Sequence, residues 1–377
     1  GRRRWSPPPP RGRYRGPVGC PVHEGFDPLS AEFLADPYAV LASLPEGQPV
    51  FYAPSLDYYV VTRYADVEAV FLDAKTYSAA TAQLPLVALV PEASRILAEG
   101  GHRPQPSMVS LDPPDHTRLR RPASRAFTPR RVAAMEDRIR STVAELLDAV
   151  DDSAPFDLVS TLTFPLPATI VFSFMGVPEA DRPRLKAWCG SRAALAWGRP
   201  EPGEQVEHAR NMAAYRGYLR ALVASKVDDR ADDYASALLA IHDEDPEALS
   251  HEEIASILFS LSFAGHETTN YLIGNLIRRL LEERSRWQQV VAEPGLIAGA
   301  VDETPRFDTS VPVWRRITKR PVTLGYCAGA TLGKLEAQLA LEGLTSRWPE
   351  LRLVEDQEIP FQPNISFRGP LELWATA

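Results

Sequence analysis

The run Ala264-Gly265-His266-Glu267-Thr268-Thr269-Asn270 sets an imidazole, an acid and two hydroxyls in the middle of an otherwise apolar stretch. Residues 254–265 carry apolar or small side chains on every helical face, the pattern of a helix buried all round. Ionisable groups in such a helix are costly unless paired or functional. Ala264 and Gly265 remove side-chain bulk just before them, so a flat ligand could approach the backbone there. Hydroxyls at these positions can also bond back to carbonyls and bend the helix. Two readings stand: a satisfied polar cluster in a core, or a notch that faces a cofactor. A zinc-protease pair is excluded, because His266-Glu267 needs a second histidine at 270 and Asn270 occupies it.

Other residues could do chemistry with a cofactor. Cys327 stands just before an expected helix over 328–348, and a helix N-terminus favours the thiolate. Taken alone, it is equally a small buried hydrophobe. Asp112 is a natural N-cap, with Pro113 in the first turn and Asp115 three residues on. That spacing puts His116 and Arg120 on one helical face, as it would for any exposed pair. Glu303 and Arg306 are an i, i+3 pair of a kind common on solvated helices. Arg118, Arg120, Arg121, Arg125, Arg130 and Arg131 crowd one stretch. They form either a solvated face or a docking surface for an acidic protein.

Together, and in this order along the chain, these segments resemble the cytochrome P-450 family. Residues 264–269 are similar to its oxygen-binding motif, and Glu303-Thr304-Pro305-Arg306 to its Glu-x-x-Arg pair. Cys327-Ala328-Gly329 with Leu332, Gly333 and Glu336 is similar to its ligand cysteine and the helix behind it. Residues 111–120 resemble its haem-contacting helix; Cys20-Pro21, Asp36-Pro37-Tyr38 and Val61-Thr62-Arg63-Tyr64 resemble its N-terminal region.

The resemblance implies a mainly α fold with small β-sheets, haem b lying between the central long helix and the helix after Cys327. Cys327 would then ligate the iron as a thiolate, whose electron density promotes O–O cleavage. His116, Arg120 and Arg316 would hold the propionates, with Arg315 an alternative to its neighbour. Thr268 would relay protons with Glu267 as its acidic partner. Glu303 and Arg306 would brace the core beside the haem. Substrate contacts would come from Phe263, Ala264, Ser310, Val311, Val313 and Phe367.

The implied reaction is monooxygenation of a small hydrophobic molecule by O2. Its two electrons come from NAD(P)H through a ferredoxin-type donor and its reductase. Three cysteines are too few for an iron–sulfur cluster beside the haem ligand, and no glycine-rich nucleotide fingerprint is visible. Two departures stand out. The interval from Arg306 to Cys327 is several tens of residues shorter than in the family, which points to a deletion between 325 and 326. Pro305 falls inside the Glu303–Arg306 helix, where proline costs roughly 3 kcal/mol. A haem-poor remnant of the same fold is therefore the second reading.

The elements that must position these residues are legible in outline. Phe51-Tyr52 and residues 58–61 suit a strand pair, and residues 66–72 a short helix. Residues 162–177 read as a core helix, too short and too proline-rich to span a bilayer. From 113 to 344 the chain is mostly helical, with a β-like stretch over 311–324. Residues 359–374 suggest a hairpin turning near Arg368-Gly369.

Bulk properties agree. The 377 residues are 45% hydrophobic with a net charge of -8, enough length for one large core. Residues 1–19 hold six arginines, five prolines and no acid, so the remainder is more acidic still. That argues against a nucleic-acid partner. The basic start reads as a disordered tail, and residues 20–377 as one domain. No signal peptide, no membrane span and no disulfide framework are expected, which points to a cytoplasmic monomer.

Overall fold

The computed structural model describes residues 21–45, 48–101, 107–319 and 330–377. The expected tail over 1–19, Cys327 and the junction at 325/326 lie outside the described residues.

The molecule is built around one long helix, His251–Leu281. It starts at a capping box: the Ser250 hydroxyl accepts from the Glu253 N–H, and the Glu253 carboxylate accepts from the Ser250 N–H. Arg278 and Arg279 sit in its last turn, where cations suit the helix dipole. Between those ends nearly every position is buried, as the all-round apolar pattern predicts. Helices Pro165–Met175, Pro202–Ser225 and Ala330–Arg347 pack directly on it.

Three apolar clusters surround this helix. One joins Leu272, Ile273 and Leu276 to Ile139, Val143, Leu341 and Trp287. A second joins Ile254 and Leu258 to Phe172, Leu219 and Leu238. The third gathers the N-terminal sheet, Trp197, Phe263, Ile365 and Phe367. Residues 162–177 do form a core element, the helix Pro165–Met175, which ends at Gly176 in the left-handed region (φ 86°).

The sheets are small. Strands β1 (Val50–Ala53) and β2 (Tyr58–Val61) form the expected antiparallel pair. Strand β3 (Tyr77–Ser78) pairs with β5 (Ile317–Thr318), and β7 (Trp374–Thr376) lies between β4 (Phe156–Asp157) and β6 (Arg352–Leu353). Within the described part of 311–324, only Ile317 and Thr318 enter a ladder. The expected hairpin over 359–374 is reduced to a single antiparallel bridge. One bridge, Phe361 to Pro370, closes that loop, and Trp374 pairs with Asp157 instead. The turn falls earlier than expected: the Asn364 side-chain oxygen accepts from the N–H groups of Ser366 and Phe367.

The loop over 364–370 is pinned to the central helix. Asn275 Nδ2 donates to the carbonyls of Arg368 (3.1 Å) and Asp308 (3.3 Å). A Cβ at Gly369 would collide with the Tyr271 ring, so only glycine permits this approach. The Arg368 N–H donates to the Ser310 carbonyl, and the Ile365 N–H to the Trp197 carbonyl.

Candidate functional site

The central helix interrupts its own burial at one place. Ala264 is exposed, and Leu261, Gly265 and Thr268 are partly exposed, whereas Phe263, His266, Glu267, Thr269 and Asn270 are buried. Positions 261, 264, 265 and 268 share one helical face. The result is a narrow strip, three of its four residues small, in the middle of a helix whose other unburied positions are Ser256 and residues of its two end turns.

The Thr268 hydroxyl donates to the Ala264 carbonyl at 2.7 Å, the back-bond that small hydroxylated residues make in helices. Glu267 points elsewhere and is buried. Its carboxyl accepts from the Tyr271 hydroxyl and lies 3.8 Å from His266 Nδ1. Burial pushes the Glu267 carboxyl above its ordinary range, and the Tyr271 hydrogen bond only partly opposes this. The expected Thr268–Glu267 pairing is therefore not a side-chain contact: adjacent positions diverge around the helix, and each side chain bonds within its own turn.

His116 and Arg120 lie on helix Asp115–Ala126, both half-buried. Neither side chain has a hydrogen bond or ion pair among the described residues. His116 is held below the usual imidazole range, first by burial and then by the Arg120 cation. That coupling agrees with the shared face expected from their spacing.

Asp112 does not cap this helix. Its carboxylate accepts from the Ser78 hydroxyl and the Ala79 N–H and forms a 2.6 Å ion pair with Lys319. Those bonds hold Asp112 below the usual carboxylate range against the opposing effect of burial. They also tie the start of the His116 helix to strand β3. Ser78 pairs in register with Ile317, the residue after Arg316, so the same link brings Arg316 toward that end of the molecule. Arg316 stacks over Phe71 at 4.8 Å. Arg315 is buried and donates to the carbonyls of Ala82, Leu84 and Ala196, a structural tie between segments.

The tentative substrate residues do converge. Phe263 meets Phe367 edge-on at 5.1 Å, and both meet Trp197, at 5.6 and 5.0 Å. Val311, Val313 and Trp314 pack against this cluster. Ala264 is the next residue on the helix, on the exposed strip. Sequence reasoning missed Trp197 and Arg192, because nothing in the local pattern of helix Arg182–Trp197 marks the face that meets Phe263.

No family model matches the chain. Individual relatives do. It is 34% identical to the vitamin D(3) 25-hydroxylase of Pseudonocardia autotrophica, across 92% of this chain and 95% of that protein. It is 30% identical to cytochrome P450 107B1 of Saccharopolyspora erythraea, across 91% and 95%. The chain belongs to the cytochrome P450 family. Among solved structures, cytochrome P450 CREJ in complex with (4-ethylphenyl) dihydrogen phosphate superposes with a TM-score of 0.87 at 32% identity, over 94% of this chain and 99% of that one. This P450 is accordingly an oxidoreductase of the monooxygenase type, with a haem-iron thiolate cofactor and a need for redox partners.

The residues on the distal and propionate sides fit that cofactor. The small-residue strip admits a flat macrocycle against the helix backbone, and the half-buried Arg120 cation, which has no counter-charge among the described residues, suits a carboxylate beside the His116 ring. On the other side, the P450 shows features of a core only partly covered. Glu303 and Arg306 form their ion pair despite Pro305 inside the helix Ile297–Phe307, but both are exposed (54% and 71%). They do not brace a buried core. Glu336 is fully buried on the helix after Cys327, and one of its oxygens lacks a partner among the described residues.

The arginine-rich stretch is half compensated. Arg118 pairs with Glu253, Arg125 with Glu244 and Arg131 with Asp232. Arg121 and Arg130 are exposed on the same stretch. Among the described residues, no helix is long and apolar enough to cross a membrane.

Proposed function

We propose that this P450 hydroxylates or epoxidises a small hydrophobic organic molecule, with Cys327 as the iron ligand. The observation that carries this reading is the exposed Ala264–Thr268 strip beside the Phe263–Phe367–Trp197 cluster. The reaction consumes substrate, O2, two electrons and two protons and yields oxygenated product and water. The haem supplies the oxygen-activating chemistry when bound.

The chain's own residues do the rest. The Phe263, Val311, Val313 and Phe367 side chains exclude water and hold an apolar substrate against the strip. Thr268 presents a hydroxyl to the same space. Its proton is engaged with the Ala264 carbonyl, so its lone pairs can accept a water that brings protons in. Glu267, kept protonable by burial, is the internal acid reserve. His116, Arg120 and Arg316 hold the propionates by charge-assisted hydrogen bonds. Electrons come from NAD(P)H through a ferredoxin-type donor that docks by the arginine-rich face, and the enzyme acts as a cytoplasmic monomer. Residues 20–377 form the single haem-thiolate domain, preceded by a basic tail over 1–19.

A second reading has specific support. The alignment with cytochrome P450 107B1 runs over 399 positions, more than the 377 residues of this chain, so part of that relative has no counterpart here. The exposed Glu303–Arg306 pair and the Glu336 oxygen that has no partner among the described residues agree with a missing segment before Cys327. In this reading the chain is a haem-poor remnant, a binding scaffold without turnover. A reduced carbon monoxide difference spectrum separates the two. A thiolate-type Soret band that disappears in Cys327→Ala supports the enzyme; no band, or a neutral-ligand band, selects the remnant.

A further inference from the structure

Arg192 is a buried cation without a counter-charge. It lies on helix Arg182–Trp197 with 6% of its surface exposed. Its guanidinium donates to the Gln83 side-chain oxygen, the Ser107 hydroxyl (3.3 Å) and the Phe259 carbonyl (3.5 Å), all of them neutral. It stands over the rings of Phe259 at 5.0 Å and Phe263 at 5.3 Å. Among the described residues, no carboxylate is within ion-pair distance of it. Three other arginines buried to the same degree face carboxylates: Arg216 faces Glu252, and Arg278 and Arg368 face Asp308; Arg315 instead ties backbone carbonyls of three segments together.

A buried ion that keeps only neutral partners retains most of its desolvation cost, which a pairing anion offsets. Burial pushes the Arg192 guanidinium down to about 10, so it still carries its charge at neutral pH. Arg192 lines a closed seam with Met212, Tyr215, Phe259 and Phe263, and Phe263 adjoins the exposed Ala264. Gln83 and Ser107 both come from the connection between β3 and helix Asp115–Ala126, so neither acceptor is fixed in a helix or a ladder.

We propose that Arg192 is a specificity-determining residue that receives the oxyanion end of the substrate, a carboxylate or a phosphate monoester. The substrate is then an amphiphile: its apolar body lies against Phe263 and Phe367, and its anionic end takes the N–H groups now held by Gln83 and Ser107. This rests on the reading of the Phe263–Phe367 cluster as the substrate end of the site.

The test is calorimetric titration of the full chain with dodecanoic acid, dodecyl phosphate and dodecanamide. The carbon monoxide spectrum is recorded on the same preparations. The wild type is expected to prefer an anionic probe to the amide by about tenfold or more, the size of one charge-assisted interaction. R192Q should reduce that preference to within about twofold, and R192K should keep most of it. Q83E places a carboxylate beside Arg192 inside the protein. It should weaken the anionic probes by about tenfold and leave the amide unchanged. Acid binding tighter than phosphate assigns a carboxylate substrate; the reverse assigns a phosphate monoester.

Equal affinity of the wild type for acid, phosphate and amide overturns the proposal. So does failure of both anionic probes to bind, or a preference that survives Q83E. Loss of the spectral band with the preference intact refutes the haem reading and leaves Arg192 assigned. An intact band without the preference does the opposite.

Discussion

The hydroxyl of Thr268 donates to the carbonyl oxygen of Ala264, 2.7 Å away and one turn earlier on the same exposed strip of the central helix. This bond fixes the hydroxyl's orientation and turns its lone pairs outward. Thr268→Ala removes that acceptor and should lower coupled turnover by about a hundredfold, within the usual range for positioned proton transfer. Thr268→Ser should retain most of it. Product formed per electron pair consumed is the measurement; equal coupling in wild type and Thr268→Ala would remove Thr268 from the proton path.

His266 controls a pH dependence of stability. Its nearest polar neighbours are weak ones, with Nδ1 3.8 Å from the Glu267 carboxyl, and the ring packs edge-on against Phe164 at 4.6 Å. Burial, with the Lys186 cation adding to it, lowers its pKa from 6.5 to about 3. The unfolded chain therefore binds the extra proton first as pH falls. Stability is fully present above about 6.5 and is lost progressively toward about 3. His266→Phe abolishes this contribution and relieves a buried polar ring, a gain of about 1–3 kcal/mol. Urea midpoints at about pH 7 and about pH 5 should differ less in the variant than in the wild type.

Arg120 and His116 should act through cofactor retention, not through folding. Neither makes a hydrogen bond or ion pair that holds the described protein together. Arg120→Gln is expected to leave the urea midpoint within about 0.5 kcal/mol. It should speed haem transfer to an excess of apo-globin by about tenfold or more, as loss of a charge-assisted bond would. Unchanged transfer rates would assign both side chains to the surface.

Asp308 is the stability counterpart. Its carboxylate is fully buried and receives Arg278, Arg279 (2.9 Å) and Arg368 (3.2 Å), joining the central helix to the C-terminal loop that carries Phe367. Asp308→Asn leaves the buried Arg368 without a carboxylate, and Arg278 and Arg279 with Glu282 alone, and should cost about 3–5 kcal/mol. A urea midpoint close to that of the wild type would mean that water replaces the carboxylate.

Local periodicity located the central helix, its polar interruption and the shared face of His116 and Arg120, because a helix fixes neighbours three and four residues apart. It misassigned Asp112, whose partners Ser78, Ala79 and Lys319 are distant in the chain and outcompete the cap. It misread 359–374 as a hairpin for the same reason: Trp374 finds its ladder with Asp157. The spacing of Glu303 and Arg306 suits a solvated helix, as observed; the bracing role came from the family resemblance, and their exposure contradicts it.

Sequence alone, then, determined the family, the polar interruption of the central helix and the candidate cysteine, since motif residues within one helix or one turn need only local geometry. Tertiary structure decided which of these residues have partners. It turned Glu267 toward Tyr271 and away from Thr268, closed Phe263 against Trp197 and Phe367, and left Arg192 beside them without a carboxylate. Burial and charge compensation depend on what other segments bring, and no spacing within a single element encodes that.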